Sequence, residues 1–373
     1  MTPLPPLVEP VVALDGESRE RFARTIALPG IGDDGQRRLA AARVLVLGAG
    51  GLGSPVLQYL AAAGAGVIGI VDFDTVDLSN LQRQVIHQTA SIGELKTASA
   101  ARAIAALNPA VVVVEHVVQL DRDNALSIFA DYDLVVDGTD NFATRYLAND
   151  AAALLGKPYV WGSVLRFDGQ VTVFWEGAPE GQSLDYRDLH PVPPAPEQVL
   201  SCAEAGVLGS VCATIGAMMA TEVIKLVTGI GEPLLGRVQN LDALAGDWRE
   251  FPLRRSPDRV PVRELIDYEL FCGLPAPDAA SEIAPDELAS RGSRPLIDVR
   301  EPYEHERDHI EGDLLVPLAT LLDDPHLVGT GPVVVYCATG ARSARAAAAL
   351  RSAGIGAVSL RGGIAAWRAS NSR

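Results

Sequence analysis

The sequence predicts two α/β units in tandem: a larger nucleotide-binding unit with a mixed sheet, then a smaller one. Three observations carry this. An apolar strand pours into a glycine loop at Val44–Gly53 (VLVLGAGGLG). A second apolar strand ends in a cysteine at the mouth of another loop, Val333–Ser343 (VVVYCATGARS). Between them, Pro257, Pro261, Pro275 and Pro277 punctuate a stretch with no helical or strand period. The expected boundaries are residues 1–253, a linker at 254–281, and 282–373.

The elements follow from periodicity and punctuation. Residues 1 to about 15 are proline-rich and read as an extended arm. A helix is expected over Glu17–Leu28, placing Arg21 and Arg24 one turn apart. Val44–Leu47 is a buried strand, Ser54–Ala63 the following helix and Val67–Asp72 the next strand, a strand–turn–helix–strand unit. Lys96–Ala106 is alanine-rich and helical; Val111–Glu115 and Leu134–Asp137 are strands. A helix over Asn141–Leu154 stops before Gly156, and Tyr159–Gly162 and Gln170–Trp175 continue the sheet. Glu176 to Ala203 shows no period, a length that marks functional or mobile segments. Val211–Thr228 resumes as an apolar helix. In the second unit, Pro295–Val299, Val333–Tyr336 and Ala357–Leu360 are strands and Ser343–Ala353 a helix.

Composition narrows the function classes. A net charge of −16 disfavours nucleic acid and anionic membrane surfaces as partners, since both reward clustered Lys and Arg. The four cysteines form no C-x-x-C pair, and no basic, apolar leader opens the chain. A reducing, cytoplasmic location is expected.

Gly48, Gly50 and Gly53 spell G-x-G-x-x-G, with Gly51 as an extra glycine. Such glycines let backbone N–H groups and a helix N-terminus approach phosphates, and Asp72 ends the next strand where a carboxylate reaches a ribose. This pattern alone fits an NAD-dependent dehydrogenase as well as an ATP enzyme. The downstream cations Arg83 and Lys96 favour ATP, because adenylation must stabilise charge at the α-phosphate and on leaving pyrophosphate. Asp140, just beyond the strand ending at Asp137, is a candidate Mg²⁺ ligand.

Residues 17–250 resemble the MoeB/ThiF family, relatives of ubiquitin-activating enzymes. The segments that carry the resemblance are RFARTIALPGIG (Arg21–Gly32), GAGGLGS, DFDTVDLSNLQRQ (Asp72–Gln84), TDN and CAEAGV (Cys202–Val207). The resemblance implies that Asp72 takes the ribose of ATP and that Asn80, Arg83 and Lys96 contact its phosphates. It implies that Asp140 coordinates Mg²⁺, and that Arg24 reaches the phosphates of a neighbouring subunit, making the active unit a homodimer. Cys202 corresponds to the thioester-forming cysteine of the activating enzymes. Without the family pattern, Arg24 reads as a surface charge, and Asn80 and Asp140 as cap or turn residues. Many members carry two zinc-binding C-x-x-C pairs. Here the first falls at Asp185 and Asp188 and the second near Ser256–Pro261, where no cysteine stands, so no zinc is expected.

Cys337-Ala338-Thr339-Gly340-Ala341-Arg342 closes directly onto a helix at Ser343. Inward-pointing N–H groups and the helix N-terminus stabilise a thiolate or persulfide there. Four residues (338–341) separate Cys337 from Arg342, a loop tighter than phosphatase loops and better suited to sulfur. Residues 282–373 resemble a rhodanese domain through IDVRE (Ile297–Glu301), HIEG (His309–Gly312), the Cys337 loop and GGIAAW (Gly362–Trp367). The resemblance makes Cys337 the persulfide carrier. Asp313 and Ala338 depart from the residues usual at those positions. Cys212 reads as core, and Cys272 has no assigned function. His87, His116, His190 and His326 show no ligand spacing.

The combination resembles MoeZ-type sulfurtransferases. It implies a ubiquitin-like sulfur carrier ending in Gly-Gly, activated with ATP and then converted to a thiocarboxylate. The sulfur comes from the Cys337 persulfide, itself loaded by a cysteine desulfurase or thiosulfate. The alternative is an adenylyltransferase whose rhodanese domain only docks.

Overall fold

The computed structural model describes residues 4–194, 205–272, 282–292, 294–338 and 340–371. The chain divides into two compact units, Met1–Gly273 and Leu274–Arg373.

The first unit is built on an eight-stranded sheet in the order β3-β2-β1-β4-β5-β6-β7-β8. Its strands are β1 (Arg43–Leu47), β2 (Val67–Val71), β3 (Val112–His116), β4 (Leu134–Asp137), β5 (Tyr159–Leu165), β6 (Asp168–Phe174), β7 (Arg237–Asp242) and β8 (Asp247–Pro252). β1 to β5 run parallel, and β6 to β8 extend the sheet in antiparallel fashion. β1 and β4 read as continuous apolar runs because helices cover both faces of the parallel part. β1 lies between β2 and β4, so the chain order reverses there and opens a crevice beyond the carboxyl ends of β1 and β4.

The Gly209–Thr228 helix is apolar on nearly every side because it lies inside this unit, against the Gly53–Ala63 helix and strands β5 and β6. Its Gly216 is forced: a Cβ there would lie 2.4 Å from Pro55. Its buried Glu222 pairs with Lys225 at 2.6 Å and accepts the Leu234 N–H at 2.7 Å.

Three expectations change. The predicted helix over 17–28 is two short helices, Gly16–Arg21 and Ala23–Ile26. Phe22 breaks it by turning inward and packing against Gly64. The aperiodic stretch after Glu176 contains a four-residue helix, Tyr186–Leu189, too short for a period but capped by Asp185. Residues 254–272, expected as a spacer, belong to the first unit. Arg259 is buried among carboxylates, and Tyr268 donates to Asp150 at 2.7 Å.

The second unit has a parallel five-stranded sheet in the order β11-β10-β12-β13-β9. Its strands are β9 (Glu282–Ile283), β10 (Leu296–Asp298), β11 (Asp313–Leu315), β12 (Val333–Tyr336) and β13 (Ala357–Leu360). β12 is central and wholly buried, and it delivers Cys337 to the carboxyl end of the sheet.

Candidate functional site

The first candidate site is the β1–β4 crevice. Gly48 leaves β1 with φ +84, and a Cβ on Gly53 would lie 1.9 Å from the Gly48 carbonyl oxygen. Only glycine permits this closure, and the start of the Gly53–Ala63 helix is tied into the loop by Ser54 N to Gly50 O at 2.9 Å and Val56 N to Leu52 O at 3.4 Å. A Cβ on Gly51 would lie 3.1 Å from Cys212 Sγ, so that thiol is the buried floor beneath the loop. Two side chains pin Ala49. Asp72 Oδ2 accepts its N–H at 2.8 Å, and His87 Nε2 meets its carbonyl at 2.9 Å. A carbonyl only accepts, so Nε2 carries the proton and Nδ1 accepts from Ser99 Oγ at 3.0 Å. Burial lowers the His87 pKa and so favours this neutral form. Sequence reasoning left His87 unassigned, since nothing in its spacing reports a contact made 38 residues away.

Burial pushes the Asp72 carboxyl up, against the opposing pull of Lys96. Lys96 is 7% exposed, with Nζ 2.8 Å from Asp74 Oδ2. The Thr75–Leu95 bridge and the bond from Lys96 N to Asp74 O (2.9 Å) fold residues 72–96 back so that the cation returns to the end of β2. Arg83 is half-buried with its Cγ beside Gly51, and it donates to the Ser79 carbonyl at 3.1 Å. Asn80 closes a capping box, accepting the Asp77 N–H at 3.2 Å.

The loop after β4 borders the same crevice. A Cβ on Gly138 would lie 3.0 Å from Gly53 N, and Gly138 N donates to Leu47 O at 3.0 Å. Asp137 is fully buried; its carboxylate takes the Thr139 N–H at 2.8 Å and the Tyr159 hydroxyl, and burial pushes its pKa up. Arg145 donates to the Thr139 carbonyl at 3.0 Å and stacks on Phe142 and Trp161. Asp140 is exposed, and among the described residues no hydrogen bond or ion pair engages its carboxylate. Asp137 is therefore occupied structurally, while Asp140 is left open.

The structure does not bring Arg24 to the crevice of its own chain. It is exposed, and the adjoining Phe22 packs on Gly64, at the opposite end of the 11-residue Gly53–Ala63 helix. That helix is about 16 Å long. Cys202 lies outside the described residues. Beyond it, Gly206 accepts from and Leu208 donates to Arg166 in the β5–β6 turn at 3.1 and 3.0 Å.

The second candidate site is the Cys337 loop. Cys337 is 1% exposed, and its Sγ receives the Gly340 N–H at 3.1 Å and faces the Ser343 hydroxyl at 3.6 Å. Gly340 stands at φ +105 and begins the Ala341–Ser352 helix. Ser343 Oγ also donates to the Gly340 carbonyl at 3.0 Å and meets Ser359 Oγ at 2.8 Å. The GGIAAW segment holds the loop from behind: Ile364 N bonds Cys337 O at 2.8 Å, and a Cβ on Gly363 would lie 2.4 Å from that oxygen. Ala338 is half-buried, and Thr339 lies outside the described residues. Arg342 is clamped by both oxygens of Glu304, at 2.6 and 2.7 Å. Burial of Glu304 opposes ionisation, but the bonds from Arg342 and the Glu301 N–H outweigh it and hold its pKa below the usual value.

His305, His309 and Asp313 bring ligand atoms within 4.8 Å of one another, a grouping sequence spacing did not reveal. Asp313 already accepts the Tyr336 hydroxyl, and His305 Nδ1 lies 3.1 Å from Asp298 and 3.5 Å from Asp313. The group is a hydrogen-bonded cluster in which these side chains already serve one another. Cys272, also buried, has its thiol pushed up to about 11 by burial, which leaves it inert.

The crevice and the cysteine loop define a two-site class: a nucleotide-binding α/β unit joined to a unit that presents sulfur. The chain belongs to the ThiF family, whose model matches residues 22–262, and a rhodanese-like domain matches residues 284–370. It is 54% identical to the probable adenylyltransferase/sulfurtransferase MoeZ of Mycobacterium tuberculosis, over 98% of this chain and 97% of the relative. It is 51% identical to a sulfur carrier protein adenylyltransferase of Thermus thermophilus, over 69% of this chain and 98% of the relative. With the adenylyltransferase and sulfurtransferase MOCS3 of Bos taurus it shares 40%, over 99% and 89%. Among solved structures, ATP-bound MccB of E. coli shares the fold with a TM-score of 0.55 at 21% identity, covering 67% of this chain and 76% of that one.

Proposed function

We propose that this chain activates the C-terminal carboxylate of a ubiquitin-like sulfur carrier with ATP and converts it to a thiocarboxylate with sulfur held on Cys337. The observation that carries this is the presence, in one chain, of a cation-flanked phosphate cradle and a cysteine whose sulfur receives a loop N–H. A hydride-transfer site has no use for the buried Lys96.

In the first step a carboxylate oxygen of the carrier attacks the α-phosphorus and pyrophosphate leaves, giving an acyl-adenylate. Lys96 and Arg83 stabilise the charge on the transferring and departing phosphates, Asn80 orients them and Asp72 holds the ribose. Asp140, with its carboxylate open, suits Mg²⁺, which when bound neutralises phosphate charge. In the second step the outer sulfur of the Cys337 persulfide attacks the acyl carbon and AMP leaves. A thiolate then attacks Cys337 Sγ of the resulting acyl disulfide, breaking the S–S bond to release the thiocarboxylate and leaving a disulfide on Cys337 that an external thiol reduces. Cys202 is the candidate attacking thiol within the chain. The buried Cys337 suits this order, because the transferable sulfur projects one bond beyond Sγ. Arg24 completes the crevice of a second copy, so the working unit is a homodimer.

The carrier docks on Leu165, Phe167, Leu208 and Leu244. These are exposed apolar residues: Leu165, Phe167 and Leu244 at the β5–β6 and β7–β8 turns, and Leu208 at the start of the Gly209–Thr228 helix, bonded to Arg166; Ala243 N bonds Phe167 O at 3.0 Å. This is the sheet edge onto which the crevice opens, so a docked body can send its tail toward the glycine loop.

Mass spectrometry of a Gly-Gly carrier incubated with ATP and a persulfide donor is the test. The carrier mass should rise by the difference between sulfur and oxygen. Cys337→Ala should abolish that gain and leave carrier-dependent pyrophosphate release intact. A full gain with Cys337→Ala reduces the rhodanese unit to a docking module.

A further inference from the structure

A bound cation of the chain's own making occupies one corner of the first unit. Arg259 has a side chain only 2% exposed, and three carboxylates converge on it. Nη1 lies 2.9 Å from Asp185 Oδ2 and 2.8 Å from Asp188 Oδ2, and Nη2 pairs with Glu176. Asp185 and Asp188 have side chains 3% and 0% exposed. Their remaining oxygens are also used: Asp185 Oδ1 takes the Arg187 N–H and Asp188 Oδ1 takes the Ser256 N–H, both at 2.8 Å. The cluster ties residues 176–188 to residues 256–259 across a long span of chain.

We propose that Arg259 is a built-in replacement for a structural metal, cross-linking these two segments by charge so that the corner takes no zinc. The family resemblance places a zinc site at these positions, and the residues present do not fit one. Zinc seeks sulfur and nitrogen ligands, and only carboxylate oxygens are offered. Those oxygens already face a guanidinium, which stays charged at every relevant pH and would repel a second cation. The planar fork also suits several carboxylates at once, as a lysine ammonium would not. The inference concerns the frame of the first unit and stands apart from the sulfur chemistry proposed above.

The test uses the full chain. Elemental analysis after dialysis should find no stoichiometric zinc, and a chelator should leave the thermal midpoint unmoved. Arg259→Ala leaves the buried Asp185 and Asp188 carboxylates without their cation, while Glu176 keeps Arg255 at 3.5 Å, and should lower the midpoint by roughly 10 °C. Arg259→Lys keeps the charge but loses the fork and should fall between the two. If the alanine variant does not fold, the lysine variant and the metal analysis decide the matter. Stoichiometric zinc held by the native chain, or a lysine variant melting with it, overturns the proposal.

Discussion

The Asp72 carboxylate accepts the backbone N–H of Ala49 at 2.8 Å, joining the end of β2 to the glycine loop. Its other oxygen takes the Asp74 N–H at 2.9 Å. Asp72 is thus both ribose ligand in the proposed reaction and a brace for the phosphate loop. Asp72→Ala removes both bonds and should lower kcat/KM for ATP–pyrophosphate exchange by about 10- to 100-fold, mainly through KM for ATP. An unchanged KM separates the residue from nucleotide binding.

Lys96 is a buried cation of the crevice, paired with Asp74. Lys96→Met keeps the aliphatic stem packed and deletes only the charge. The exchange rate should fall about 100- to 1,000-fold, with the thermal midpoint moved far less. Lys96→Arg should recover part of the rate, since the charge returns with altered reach. Exchange at the native rate in the methionine variant excludes phosphate stabilisation by this residue.

Glu304 acts on the sulfur loop through Arg342. Glu304→Gln cannot hold the guanidinium with two charged oxygens, so the loop loses its lateral clamp. Sulfur transfer from a loaded Cys337 should slow about 10-fold or more, while ATP–pyrophosphate exchange stays native. Single-turnover transfer measured beside exchange on one preparation separates the two.

Phe167 and Leu244 test the docking edge. Phe167→Ala with Leu244→Ala should raise KM for the carrier about 10-fold and leave KM for ATP alone. Equal KM values for the carrier in both proteins would move the docking face elsewhere.

His190 predicts a pH dependence of stability. It sits beside Tyr186 and Trp161, and burial followed by the nearby Arg145 lowers its pKa to about 4. Its unfolded value is about 6.5. The unfolded chain therefore binds the extra proton first. Stability is fully present above pH 6.5 and is lost as pH falls toward 4, by on the order of 3 kcal/mol. His190→Gln should flatten this part of the curve, measured as the difference in unfolding free energy between native and variant across that range. Parallel curves would show that the ring does not titrate as described.

Much of this molecule was legible in one dimension. The apolar runs at Val44–Leu47 and Val333–Tyr336, each followed by a loop rich in glycine or small residues, mark the two sheets and the carboxyl ends where both sites lie. Strand burial and glycine need are local properties, so periodicity and punctuation report them. Asp72, Lys96, Asp140 and Cys337 stood out as candidates through order and spacing matched to the family patterns they resemble. Other features depend on contacts between distant residues, and no local pattern encodes those. His87 reads as a stray histidine until folding sets it against Ala49. Arg259 reads as a linker charge until Asp185 and Asp188 close around it. Phe22 lies within a plausible helix until Gly64 opens a space that draws it inward. The sequence by itself determined which chemistry the chain carries and on which turns. Only the tertiary structure decided which groups brace those turns, because desolvation and hydrogen bonding depend on neighbours brought together from far along the chain.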